Sequence, residues 1–245
     1  MTNHFTDISL RKAALVAGWG LLIMILPAIF MNFFVLESLI VPGDATATVN
    51  NIMANELQYR IGICSFIIVI ILDVFVAWGL FVFLKPVKKS LSLLAAWFRL
   101  LYTAVFGFAL LNLVTVLRLL SGADNLKVFE ADQLNTQVML SLNAFSDGWA
   151  IGYVCFFGLH LIILGYLVYK SGYVPRILGV LLIIGGFGYI IDTFALLLLP
   201  NYEAYEPIFS LLILPTALGE ILLALWLLIK GVKVEPSDKG ALGPA

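Results

Sequence analysis

Five ionisable side chains stand where the surrounding sequence offers them no water: Asp73, Arg99, His160, Asp192 and Glu220, each inside a long apolar run. In hydrocarbon an ionisable group costs ~3 kcal/mol or more, so each needs a partner or a task. The chemistry open to such a set is proton exchange, ion or ligand binding, a structural ion pair, or metal ligation by histidine and carboxylate. The densest stretch is 156–192, FFGLHLIILGYLVYKSGYVPRILGVLLIIGGFGYIID, two apolar runs joined by a short basic turn with His160 and Asp192 inside them.

Position along each run ranks these residues by depth. Asp73 precedes Lys85 by ~18 Å of helix and Arg99 follows Leu91 by ~12 Å at 1.5 Å per residue, a difference that the long guanidinium stem can cover. A buried Asp73–Arg99 ion pair is therefore geometrically available, and it competes with a catalytic role for Asp73. His160 stands ten residues before Lys170, and Glu220 ten before Lys230, so both lie ~15 Å from the same boundary. Gly185, Gly188 and Asp192 recur at helical spacing, which places Asp192 on a face turned into the bundle. Pro215 bends its helix, and Thr216 and Glu220 stack on one side of it.

Counted at full ionisation with neutral His160, the five hold three negative charges and one positive. A low-dielectric site does not leave that imbalance uncompensated. A protonated carboxylate, a charged His160, a cation or the cationic group of a ligand would each correct it.

The elements that must position these groups follow from composition. Hydrophobic residues make up 62% of the chain and charged residues 12%, against ~25% charged in soluble domains, so the bilayer is the solvent. The fold class expected is all-α: a polytopic transmembrane helical bundle of six spans, about 13–36, 60–84, 91–120, 144–169, 176–199 and 208–229, with short amphipathic helices in the outer loops. These form a single transmembrane domain over 1–234, followed by a polar tail, 235–245, read as disordered. Arg11 and Lys12 precede an apolar run longer than a signal-peptide core, so it reads as a retained first span, kinked at Pro27.

Between the first two spans, Asp44 can cap a helix beginning at Ala45, with Val49, Ile52, Met53 and Leu57 on one side. The fourth helix can begin before the membrane, since Leu134, Val138, Leu142, Phe145 and Trp149 form a stripe. Gly148 and Gly152 mark close helix packing. Basic loops (Arg11, Lys12; Lys85, Lys88, Lys89; Lys170, Arg176; Lys230, Lys233) alternate with acidic ones (Asp44; Asp124, Asp132; Glu203, Glu206). The positive-inside rule then puts both termini in the cytoplasm.

What the sequence excludes is equally informative. A net charge of −1 supplies no basic face for nucleic acid. Cys64 and Cys155 have no metal-ligand spacing and read as small buried packing residues. There is no H-E-x-x-H, G-x-S-x-G or paired-histidine pattern, so metal catalysis and haem ligation lack a sequence signature; the cofactor is left open, with His160 and Glu220 as weak metal-ligand candidates. Residues 71–76 resemble 190–195, as an inverted repeat would require, although chance likeness in an alphabet rich in Leu, Ile and Phe is the better explanation.

The blocks IVPGDATATVNNIMANELQYRIGI, KPVKKSLSLLAAWFRLLYTAVFG, GLHLIILGYLVYKSGYVPRILGVLLIIGGFGYIID and LPTALGEILLALWLLIKG resemble the bacterial membrane proteins grouped as domain-of-unknown-function family 4386, over about residues 11–231. The resemblance implies a multi-pass protein of the bacterial cytoplasmic membrane with no agreed activity, and it supplies no catalytic residues. Three classes of function stay open: binding or transport of a small molecule or cation with proton exchange, an intramembrane enzyme acting on a lipid-like substrate, and a non-catalytic sensor or partner subunit.

Overall fold

The computed structural model describes residues 8–126 and 128–231. The expected disordered tail and Lys233 lie outside these residues, and the side chains of Glu203 and Glu206 are likewise not described. Seven helices account for most of the described chain: α1 (Leu10–Leu39), α2 (Ala45–Ala54), α3 (Glu56–Leu84), α4 (Lys89–Leu119), α5 (Ala131–Lys170), α6 (Arg176–Leu198) and α7 (Glu206–Ile229). Six of them, all but α2, are long and apolar enough to cross a membrane. Helices are the answer because hydrocarbon offers no partner to a backbone amide, and a helix satisfies its amides internally.

The spanning helices pack as a closed ring. Each touches the next in the order α1, α3, α4, α5, α6, α7, and α7 returns to α1. One residue fastens that closure. Arg11, in the first turn of α1, donates from Nη1 to the Leu227 carbonyl at 2.8 Å and from Nη2 to the Leu228 carbonyl at 2.7 Å. A guanidinium at the carboxyl end of α7 both fills orphan carbonyls and meets the negative end of the helix dipole.

In lipid the drive to associate comes from backbones that can approach closely, and small residues permit it. The α5–α6 pair shows this with two reciprocal glycine contacts seven residues apart. A Cβ at Gly165 would lie 2.5 Å from the Gly179 carbonyl oxygen, and one at Gly158 would lie 2.9 Å from that of Gly186. Gly148 and Gly152 do pack closely, against Ala109 and the Tyr102 ring of α4. Gly185 and Gly188 receive Thr216 and Leu212 of α7.

The loop helix α2 begins at Ala45, where the Asp44 carboxylate accepts from the Ala47 amide at 2.8 Å. Its inward side is Thr48, Val49 and Ile52; Met53 points outward, and the helix stops at Ala54, so Leu57 belongs to α3. The stripe read from sequence is thus narrower than expected. At the start of α5, Glu130 and Gln133 form a reciprocal capping box. Both cysteines are exposed rather than buried. On a lipid-facing surface a small apolar side chain needs no protein neighbour, so composition could not fix their direction.

Two helices contain a π-helical stretch: α1 at Phe30–Leu36, just after Pro27, and α5 at Tyr153–Phe157. Proline removes an amide from the ladder, and a wider turn downstream is one way to accommodate that loss. Asn32 of the first stretch and Tyr153 and Phe157 of the second line one interior cavity.

Candidate functional site

Arg99 of α4 is the hub of the interior. Its Nε and Nη2 donate to one oxygen of Asp73 on α3, at 2.8 and 2.5 Å. Its Nη1 reaches Glu220 Oε1 on α7 at 3.3 Å and His160 Nε2 on α5 at 3.2 Å. Four helices thus meet at one guanidinium, which also lies 5.5 Å from the centre of the Phe157 ring. Asp73 and Arg99 are each only 2% exposed, so the pair is a buried one, where attraction offsets desolvation only with good geometry and satisfied lone pairs. The second Asp73 oxygen has the Thr103 hydroxyl at 3.2 Å, one turn beyond Arg99 on the same helix.

His160 is fully committed. Its Nδ1 is 2.8 Å from the Ala95 carbonyl oxygen, an atom that can only accept, so Nδ1 carries the hydrogen. Its Nε2 faces a guanidinium, which can only donate, so Nε2 offers its lone pair. The ring is therefore the neutral Nδ1–H tautomer. A charged His160, one of the four ways to balance the interior, would place a hydrogen against Arg99. The same lone pair is what a metal would need, and among the described residues no group of three or more His, Cys, Asp or Glu is arranged to hold an ion. His160 and Glu220, the metal candidates read from the sequence, meet instead through Arg99.

Glu220 is the least constrained member. It accepts a hydrogen bond from Arg99 at 3.3 Å, and its side chain retains 21% exposure. That exposure opens into a cavity of about 320 Å³ lined by Met24, Ala28 and Asn32 of α1, Asp73, Arg99 and Glu220, and a wall of aromatic rings. The rings are Phe66, Tyr102, Phe106, Trp149, Tyr153, Phe157 and Tyr189. They touch in series: Phe106 against Trp149 at 5.1 Å, Trp149 against Tyr153 at 5.6 Å and Tyr153 against Tyr189 at 4.4 Å between centroids. The Trp149 indole donates to the Tyr102 hydroxyl at 2.9 Å.

The structure therefore brings together Asp73, Arg99, His160 and Glu220, and leaves Asp192 apart. Asp192 accepts a 2.6 Å hydrogen bond from Tyr202, in the turn between α6 and α7. Depth along the helix carries the reason: Asp192 is sixteen residues beyond Arg176, ~24 Å of rise, well above the ~15 Å level of His160. Asp73 and Asp192 thus occupy different environments, despite the local likeness of 71–76 and 190–195. Thr216, stacked one turn before Glu220, turns its buried hydroxyl toward α6 near Gly185, where it has no hydrogen-bond partner among the described residues.

The aromatic wall was not singled out from the sequence, yet a signal for it exists. Phe145, Trp149, Tyr153 and Phe157 recur every fourth residue, as do Met24, Ala28 and Asn32. In an α-helix such a series drifts ~40° per step, and a π-helical stretch, with more residues per turn, brings it back to one side. In both α1 and α5 that stretch begins near the end of the series.

A 172-residue stretch is 38% identical to an uncharacterized protein of Archaeoglobus fulgidus (strain ATCC 49558 / DSM 4304 / JCM 9628 / NBRC 100126 / VC-16), covering 70% of this chain and 85% of the relative. That relative is archaeal, which widens the likeness beyond bacterial proteins. No solved structure matches the chain. The family model for a domain of unknown function, DUF4386, matches residues 16–231, and this six-span membrane protein belongs to that family.

Proposed function

We propose that the chain binds a small molecule in the central cavity and carries or senses it, with Glu220 as the group that exchanges a proton. The observation that carries this reading is the asymmetry of the polar cluster: Asp73, Arg99 and His160 bond one another, whereas Glu220 keeps a partly exposed carboxylate in a cavity of about 320 Å³. That volume is at the small end of ligand pockets and holds ~10 non-hydrogen atoms, counting ~30 Å³ for each as for water in the liquid. π-Helical turns recur at functional sites, and two of them flank this cavity.

The same reading places the protein in the cytoplasmic membrane with both termini inside. Arg11, Lys12, Lys85, Lys88, Lys89, Lys170, Arg176 and Lys230 gather at one end of the bundle, against Arg60 and Arg118 at the other, where Glu56 holds Arg60 and the sequence adds Lys127. The bilayer is its surrounding medium, and nucleic acid is not among its partners.

The test is thermal stabilisation of the purified protein by a panel of amines, alcohols, amides and carboxylates of up to about ten non-hydrogen atoms. Ala28→Phe, which fills the cavity, serves as control. Compounds that stabilise the parent and not the filled variant support the reading. A panel without effect, or one acting equally on both proteins, overturns it. Accumulation of an active compound in proteoliposomes, driven by a pH difference, separates carriage from sensing.

A further inference from the structure

The charge inventory and the aromatic wall together specify the ligand's class, and this step rests on the cavity being a binding site. With His160 fixed as a neutral acceptor, the groups at the cavity floor are Asp73 and Glu220 against Arg99. Fully ionised, they sum to one uncompensated negative charge. Arg99 is already engaged by Asp73, Glu220 and His160, so it offers an incoming anion little that is free. The surplus charge belongs on the carboxylate with the accessible surface, Glu220.

Above that carboxylate the walls are π-systems. Tyr102, Trp149, Tyr153 and Tyr189 all line the cavity, and aromatic faces attract a cation that has shed its water far more than they attract a neutral group of the same shape. We propose that the ligand is a monovalent organic cation of the ammonium class, its head between Glu220 and the Tyr153–Tyr189–Trp149 wall. It takes the place of a proton that Glu220 otherwise holds. The proton leaves for bulk water as the cation enters, so the net charge of the interior is the same in both states.

The groups facing Glu220 are consistent with a one-for-one exchange. Arg99 comes from α4 and Asp73 from α3; Tyr153 comes from α5, with His160 reached through Arg99, and Tyr189 from α6; α1 contributes the uncharged Asn32. No second carboxylate with free surface lines the cavity among the described residues.

The experiment compares choline with its uncharged isostere 3,3-dimethylbutan-1-ol and with the anionic 3,3-dimethylbutanoate, all within the size of the cavity. Binding is followed by titration calorimetry and by proton release in weak buffer. The expected result is choline at least tenfold tighter than the isostere, about one proton released per choline, and both the preference and the release lost in Glu220→Gln. Tyr189→Leu, which leaves the charge alone, is expected to weaken choline more than the isostere. Equal binding of choline and the isostere, or tighter binding of the anion, overturns the cation assignment and leaves the pocket standing. If none of the three binds, the assignment is overturned when the active panel compounds are neutral or anionic. When the Ala28→Phe control also fails, the binding reading itself falls.

Discussion

Arg99 Nη1 lies 3.2 Å from His160 Nε2, and the opposite ring nitrogen lies 2.8 Å from the Ala95 carbonyl. A histidine between an obligate donor and an obligate acceptor is a structural strut, linking α5 to two points of α4 one turn apart. The expected outcome for ¹⁵N-histidine spectra in micelles of a His4→Gln variant, in which His160 is the one histidine of the sequence, is a neutral Nδ1–H signature at pH 7. His160→Phe fills the volume but leaves a buried guanidinium N–H without its acceptor and takes the second partner from the Ala95 carbonyl, which stays in the helical ladder, and should cost about 2 kcal/mol or more in unfolding free energy. A protonated imidazole signature at pH 7 would contradict the assignment.

The Asp73–Arg99 pair predicts a particular pattern of non-additivity. Removing the cation alone, in Arg99→Leu, leaves Asp73 and Glu220 facing each other without compensation and should cost about 3–5 kcal/mol. Adding Asp73→Asn to that variant should recover a large part of the loss, because it removes one of the stranded charges. Denaturant or thermal unfolding of both singles and the double closes the cycle. Additive losses would mean that the pair is not coupled.

The glycine ladder of α5 and α6 sets the distance between the helices that carry Tyr153 and Tyr189. At Gly165 a valine would force its Cβ against the Gly179 carbonyl, 2.5 Å away, and Ile183 Cγ1, 2.8 Å away. Overpacking of that kind costs about 1–3 kcal/mol, and it should also part the Tyr153–Tyr189 stack. Gly107→Ala is the matched control: its nearest neighbour is Ile70 Cδ1 at 3.8 Å, so stability should remain at or above that of the parent. Melting temperatures of the two variants test the contrast.

How much of this is legible in the sequence alone differs between depth in the membrane and direction around a helix axis. Depth could be read from the chain, because a helix rises a fixed ~1.5 Å per residue from a basic boundary; the Asp73–Arg99 pair came from that count. Direction around the axis was less accessible. Glycine spacing correctly indicated a face of α6 packed closely against a neighbour, but Asp192 lies farther along the helix, where its partner is Tyr202 and not the cluster. The aromatic wall was hidden by the assumption of a uniform α-helix, since a series of four residues spaced by four drifts ~120° around an α-helix and stays on one side only where the helix locally widens, as it does at Tyr153–Phe157. The Ala95 carbonyl, a backbone atom, has no sequence signature at all.

Separation of Asp192 from the cluster makes the sharpest contrast between two acidic residues of similar appearance. Asp192 holds the Tyr202 hydroxyl at 2.6 Å and ties α6 to the turn that leads into α7; Glu220 faces the cavity. A hydrogen bond to a charged group contributes about 1.5–3 kcal/mol, so Asp192→Asn, which keeps an acceptor, should lower stability by less than Asp192→Ala. Neither change should shift ligand affinity more than about twofold, because neither alters the charge nor the walls of the cavity. Tyr202→Phe should reproduce the Asp192→Ala loss, and the two combined should cost less than their sum. Were Asp192→Asn to abolish choline binding while Glu220→Gln left it intact, the site would have to be moved to the α6–α7 turn.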